Sequence, residues 1–104
     1  MEVYAVVWGT GSCDDHNNAH AFCGVHGIFK SEASAQKALE ECKNDIVAEA
    51  MSDLCFDEEE DPNDHKDEVQ VYGSVKDGFF EVDYTLGSEP VEIYMLITNT
   101  FVQD

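Results

Sequence analysis

The 104-residue chain sets 23 Asp and Glu against five Lys and no Arg, a formal charge of −18 at pH 7. That balance excludes a direct grip on DNA, RNA or an anionic membrane, because each phosphate contact needs a cation. Hydrophobic residues still make up 43% of the chain, including six Phe, four Tyr and Trp8. Such a chain is expected to fold as one domain over residues 1–104 and not to remain disordered.

Met1 and Glu2 open the chain without a basic segment, and no apolar run reaches the length of a signal core or membrane span. Cys13, Cys23, Cys42 and Cys55 then read as thiols of a reducing compartment, and a cytoplasmic location is expected. Residues 2–8, Glu-Val-Tyr-Ala-Val-Val-Trp, form the first predicted strand. Small and polar residues over 9–20 predict a loop, and a second strand spans about 21–29.

Ser31 is the predicted N-cap of a helix running to about Cys55, with Glu32 well placed in its first turn. Ala35, Ala38, Leu39, Cys42, Ile46, Ala50, Met51 and Leu54 recur at spacings of three and four and form its core stripe. Residues 57–68 hold eight acids and Lys66. Pro62 and charge repulsion predict an acidic loop with no regular element there. Three strands follow near 69–75, 79–86 and 91–102, separated by Lys76-Asp77-Gly78 and Gly87-Ser88-Glu89-Pro90 turns. The order ββαβββ predicts a two-layer α+β domain, a mainly antiparallel sheet of about five strands under one long helix.

Val3-Tyr4-Ala5-Val6-Val7, a polar loop, then Gly24-Val25-His26-Gly27-Ile28-Phe29-Lys30-Ser31-Glu32-Ala33 leading into a helix resembles the opening of many small uncharacterised phage and bacterial proteins. The resemblance covers about residues 2–50. It implies a mobile-element origin and brings no catalytic residues with it. The longer loop from Asp14 to His20 and the acidic run at 57–68 depart from that pattern.

The placement of the charge is more informative than its total. Glu41, Asp45, Glu49 and Asp53 follow at four-residue intervals, with Glu40 beside the first, and form one ridge along the helix. Neighbours on that ridge are separated by about 6 Å of rise. Like charges so placed cost about 0.2–0.5 kcal/mol per pair. A row of carboxylates at this spacing suits sites built for phosphates. Asp57, Glu58, Glu59, Glu60 and Asp61 extend it into the loop. Glu81, Asp83 and Glu92 are candidate additions on the outer sheet face, where acids opposed across strands are unfavourable.

Cys13, His16, His20, Cys23 and His26 fall within fourteen residues. All are zinc ligands when deprotonated, and a hairpin would draw Cys13 and Cys23 together, so Cys13, His16, His20 and Cys23 are the candidate metal set. A calcium loop over 57–68 is excluded, since Pro62 occupies the position that needs Gly. Catalysis finds no third group behind a Cys–His pair and no phosphate-binding loop, so a non-enzymatic protein is expected. The leading expectation is an inhibitor that mimics nucleic-acid charge. Its partner would be the basic surface of a host nucleic-acid enzyme, such as a CRISPR effector or restriction enzyme. The alternative is a zinc-binding or redox-sensitive accessory domain, and adaptation to high salt is a third reading of the acid excess.

Overall fold

Alternating β-branched and aromatic residues on one side, and a stripe of small and aliphatic residues on the helix, divide the chain into two layers. The computed structural model describes residues 1–13, 19–57 and 59–101. Its elements are β1 (Glu2–Cys13), β2 (Ala19–Phe29), α1 (Glu32–Asp53), β3 (Val69–Ser74), β4 (Phe79–Leu86) and β5 (Glu89–Phe101). The strands form one antiparallel sheet in the order β2-β1-β5-β4-β3. The expected α+β class and ββαβββ order are what the structure has.

β1 and β5 lie side by side at the centre, so the two ends of the chain meet there. Their ladder runs from Glu2 opposite Phe101 to Ser12 opposite Val91. This extends β1 five residues past the predicted end at Trp8. Gly9, Thr10, Gly11 and Ser12 have loop-like composition, but a strand with partners on both sides satisfies its backbone through them, and tertiary pairing overrides weak propensity. Gly9 also has a specific reason to lack a side chain: a Cβ there would clash with the hydroxyl end of the Tyr94 ring. The tyrosine lies across the glycine on the outer face, a cover that compensates for the missing side chain.

On the inner face the same pairing recurs between Trp8 of β1 and Gly24 of β2. A Cβ on Gly24 would stand 2.9 Å from the indole, so the ring is seated flat against the β2 backbone. One step further, Val6 pairs with Gly27 and Val7 with Val25, leaving His26 as the extra residue of a β-bulge. The bulge turns the His26 imidazole towards the helix.

α1 touches all five strands. Ser31 caps it as the sequence indicates, its side chain accepting from the Ser34 N–H at 3.2 Å. Ala35, Leu39, Ala50 and Met51 enter the core with Val6, Val69, Phe80, Val82, Tyr84 and Met95. Phe80, Val82 and Tyr84 share the inward side of β4 as their alternation requires, but Leu86, at the end of that row, is 43% exposed.

The helix ends in a Schellman motif. The Phe56 N–H reaches the Met51 carbonyl at 2.9 Å and the Cys55 N–H reaches the Ser52 carbonyl at 3.0 Å. That geometry places Cys55 at φ 62°, where an L side chain is strained and glycine is not. Beyond it, Pro62–His65 forms a single 3-10 turn capped by the Asp61 side chain. The expected absence of any regular element in 57–68 is therefore corrected. Pro62 sits at the start of the turn, where its missing N–H costs nothing. Cys55→Gly is expected to stabilise the fold by about 1 kcal/mol, read as a raised midpoint in urea unfolding with an unchanged slope.

Candidate acidic binding surface

Glu40, Glu41, Asp45, Glu49 and Asp53 are all exposed on α1. A four-residue step on a helix overshoots one turn by about 40°, so the row drifts around the cylinder as it ascends. It begins on the flank at Glu41 and ends facing the sheet at Asp53. There the Tyr84 hydroxyl donates to Asp53 Oδ2 at 3.1 Å. Burial, then this hydrogen bond and the charges of Asp53 and Glu49, push the Tyr84 hydroxyl up to about 12. The ridge read from the sequence thus curves gently around the helix, and the structure anchors it at its C-terminal end. No basic residue stands in the last turn of α1. Glu49 and Asp53 consequently oppose the helix dipole as well as each other.

The acidic segment is organised around a histidine that spacing gave no reason to single out. The His65 ring stacks on Phe56 with centroids 3.8 Å apart. Its Nε2 lies 3.3 Å from Glu60 Oε1 and its Nδ1 lies 3.9 Å from Glu68 Oε2. Glu60 also accepts from the Asp57 N–H at 2.7 Å, and Asp61 from the Asn63 N–H at 2.9 Å. Asp57, Glu59, Glu60 and Asp61 remain exposed, but Glu60 and Asp61 already hold local hydrogen bonds. Glu58 lies outside the described residues.

The sheet adds acids by register. Asp83 on β4 stands opposite Glu92 on β5, and Glu81 is two residues away on the same face. Burial, then proton sharing with Glu81 and its charge, push the Asp83 carboxyl up to about 6. Asp83 Oδ1 is buried without a hydrogen-bond partner. Asp83 and Glu92 line an open cavity of about 400 Å³ together with Asp67, Glu68, Leu54, Phe56 and Tyr84. Through Tyr84, this cavity adjoins the end of the helical ridge. Carboxylates thus stand on both sides of the sheet: the row from Glu41 to Asp53 on α1, and the Asp83–Glu92 pair on the outer face, which shares its cavity with Asp67 and Glu68.

The cysteine and histidine cluster is arranged differently from the hairpin that the spacing suggested. Cys13 pairs with Ala19, whereas Cys23 pairs with Gly9, four ladder positions away. At about 3.4 Å per residue, their backbones are far apart along the strands. A hairpin closing at Cys13 and Cys23 would leave residues 14–22 as its loop, but pairing continues up to Cys13–Ala19. His20 pairs with Ser12, and His16 lies outside the described residues. His26 instead meets a thiol from another element, its Nε2 3.3 Å from Cys42 Sγ. Burial, then the charges of Asp45 and Glu41, push the Cys42 thiol up, which disfavours the nucleophilic thiolate. Among the described residues, no three His, Cys, Asp or Glu side chains come together as metal ligands, and no helix is long and apolar enough to cross a membrane.

Asp83 makes stability depend on pH with a definite sign. Between the ordinary value near 3.8 and about 6, the folded protein keeps a proton that the unfolded chain has released. Stability therefore falls as pH rises through that window and stays lower at neutral pH. Asp83→Asn is expected to raise unfolding stability at pH 7 by about 1 kcal/mol after allowance for solvent screening, and to match the parent near pH 4. Equal pH profiles for parent and variant in urea unfolding would contradict this account of the cluster.

Comparison of the chain with known protein families, with characterised proteins and with solved structures found no match.

Proposed function

We propose that this protein is a small acidic inhibitor that occupies the nucleic-acid groove of a host enzyme, such as a CRISPR effector or restriction enzyme. It does so by offering carboxylates to the lysines and arginines that hold phosphates. The observation that carries this reading is the row of exposed acids along α1 and the cost of their placement. Glu49 and Asp53 oppose the dipole at a helix end without a basic residue, and Asp83 is set against Glu92 in the ladder. A charge excess serving only solubility has no need of such placements, because dispersed acids hydrate equally well and repel less. Desolvated charge pairs with a basic groove would relieve these repulsions and set on-rate and specificity.

Glu41, Asp45 and Glu49 form the free part of the ridge, and Asp53 its tethered end. Asp57 and Glu59 extend it, whereas Glu60 and Asp61 contribute charge while holding the turn together. Enzymes retained from host lysate on the immobilised protein at low salt, and displaced by excess DNA or RNA, identify the target. The decisive measurement is inhibition of that target's nucleic-acid cleavage. Reversing Glu41, Asp45, Glu49 and Asp53 to Lys is expected to weaken inhibition by about 100-fold or more, with the helical circular dichroism retained. Undiminished inhibition by a folded reversal variant would overturn the proposal.

A further inference from the structure

We infer that the cleft between α1 and the β1–β5 ladder is a docking pocket for one arginine side chain of the basic partner, an inference that rests on the acidic-surface reading above. Trp8, Ile93 and Met95 from the sheet and Cys42, Asp45 and Ile46 from the helix line a cavity of about 320 Å³, at the small end of ligand-binding cavities. Trp8 is held in place on one side by its seat against Gly24. His26, in contact with Cys42 Sγ at 3.3 Å, also lines the cavity.

The charge of the cleft selects the occupant. Asp45 is itself a lining residue, and Glu41 lies one helical turn before it. Both act on the Cys42 thiol that lines the cavity, so their negative potential reaches inside. An anionic side chain is repelled, and a purely apolar one gains nothing from the acids at the edge of the cleft. A guanidinium meets both requirements. It is planar and weakly hydrated, stacks on an indole face, and pairs with a carboxylate through two parallel hydrogen bonds while its aliphatic stem packs on Ile46 and Ile93. A lysine ammonium is a compact and strongly hydrated charge, and gains less from the indole. The pocket thus adds a preference for arginine to an acidic surface that otherwise reads only positive charge.

Trp8 is the single tryptophan of the chain, so its fluorescence reports the pocket directly. The probes are an arginine nonapeptide and a lysine nonapeptide, titrated into the full chain at low and high salt by fluorescence and calorimetry. The arginine peptide is expected to change Trp8 emission and to bind about fivefold tighter than the lysine peptide. That preference is expected to disappear in Asp45→Asn and in Trp8→Leu, and to persist in Asp77→Asn on the β3–β4 turn, which does not line the cavity. Trp8→Phe, which retains a ring on Gly24, is expected to keep part of it and serves if the leucine variant does not fold. Equal, salt-sensitive binding of both peptides with unmoved Trp8 emission would overturn the pocket and leave the acidic-surface reading standing. Absence of salt-sensitive binding by either peptide would overturn both.

Discussion

The pairing of β1 with β5 is the interaction on which the rest of the structure depends. Without it the chain is two separate pieces, a β1–β2 hairpin and a β3–β4–β5 meander, joined by a helix. With it, residues from the two ends of the sequence become neighbours: Val6 beside Ile97, Trp8 beside Met95, Gly9 beside Tyr94. Both faces of the sheet are built at this seam. On one side Trp8, Ile93 and Met95 make the floor of the cleft below α1. On the other side Tyr94 covers Gly9. Such distant contacts are costly to close entropically, and they favour slow folding compared with a helical chain of this size. The hydrophobic contacts of Val6, Phe80, Val82 and Met95 with α1 supply the cohesion that the charged exterior works against.

That opposition accounts for much of the surface. Acidic side chains satisfy backbone groups wherever local geometry permits, as Glu60 and Asp61 do in the segment after the helix. His65, placed between Glu60 and Glu68 and stacked on Phe56, gives the densest stretch of acids an aromatic anchor beside the core. Elsewhere the repulsion is left standing. Asp83 has a buried oxygen without a partner, and it faces another acid across the ladder. Retaining a proton is the available response for such a group, and this couples the outer face of the sheet to pH.

Most of the architecture was legible in the sequence, because local signals and tertiary demands agree there. Ser31 begins the helix, the stripe from Ala35 to Leu54 faces the sheet, and β4 occupies 79–86. The mistaken boundary at Trp8 shows where local signals fail: Gly9 and Gly11 resemble loop residues until Tyr94 and two neighbouring strands are known. The acidic ridge and its drift around the helix were legible as spacing, but the Tyr84 anchor required the helix to be placed on the sheet. The metal candidates depended on where the hairpin closes, which composition alone does not determine. Sequence reading could not foresee that β-bulge geometry would send His26 to Cys42. The opposition of Asp83 and Glu92 likewise depends on register, and a shift of one residue would separate them to different faces.

Salt separates the possible uses of this charge by the sign of its effect. Screening weakens repulsion among the acids, so added salt stabilises the fold whether they serve hydration, salt adaptation or recognition. Attraction to a basic groove has the opposite slope, because the same screening weakens it. Over the few residues between Asp45 and Asp53, separations along the helix are comparable to the Debye length of about 8 Å at physiological ionic strength. The ridge therefore acts as a set of partly screened local charges, and long-range attraction must come from the whole molecule's −18. Net charge draws a basic partner in, the curved ridge orients it, and only short-range contacts distinguish one cationic surface from another. The cleft beside Trp8 lies where that last step would occur: an acidic approach ends on an aromatic and aliphatic floor, and shape and desolvation begin to discriminate.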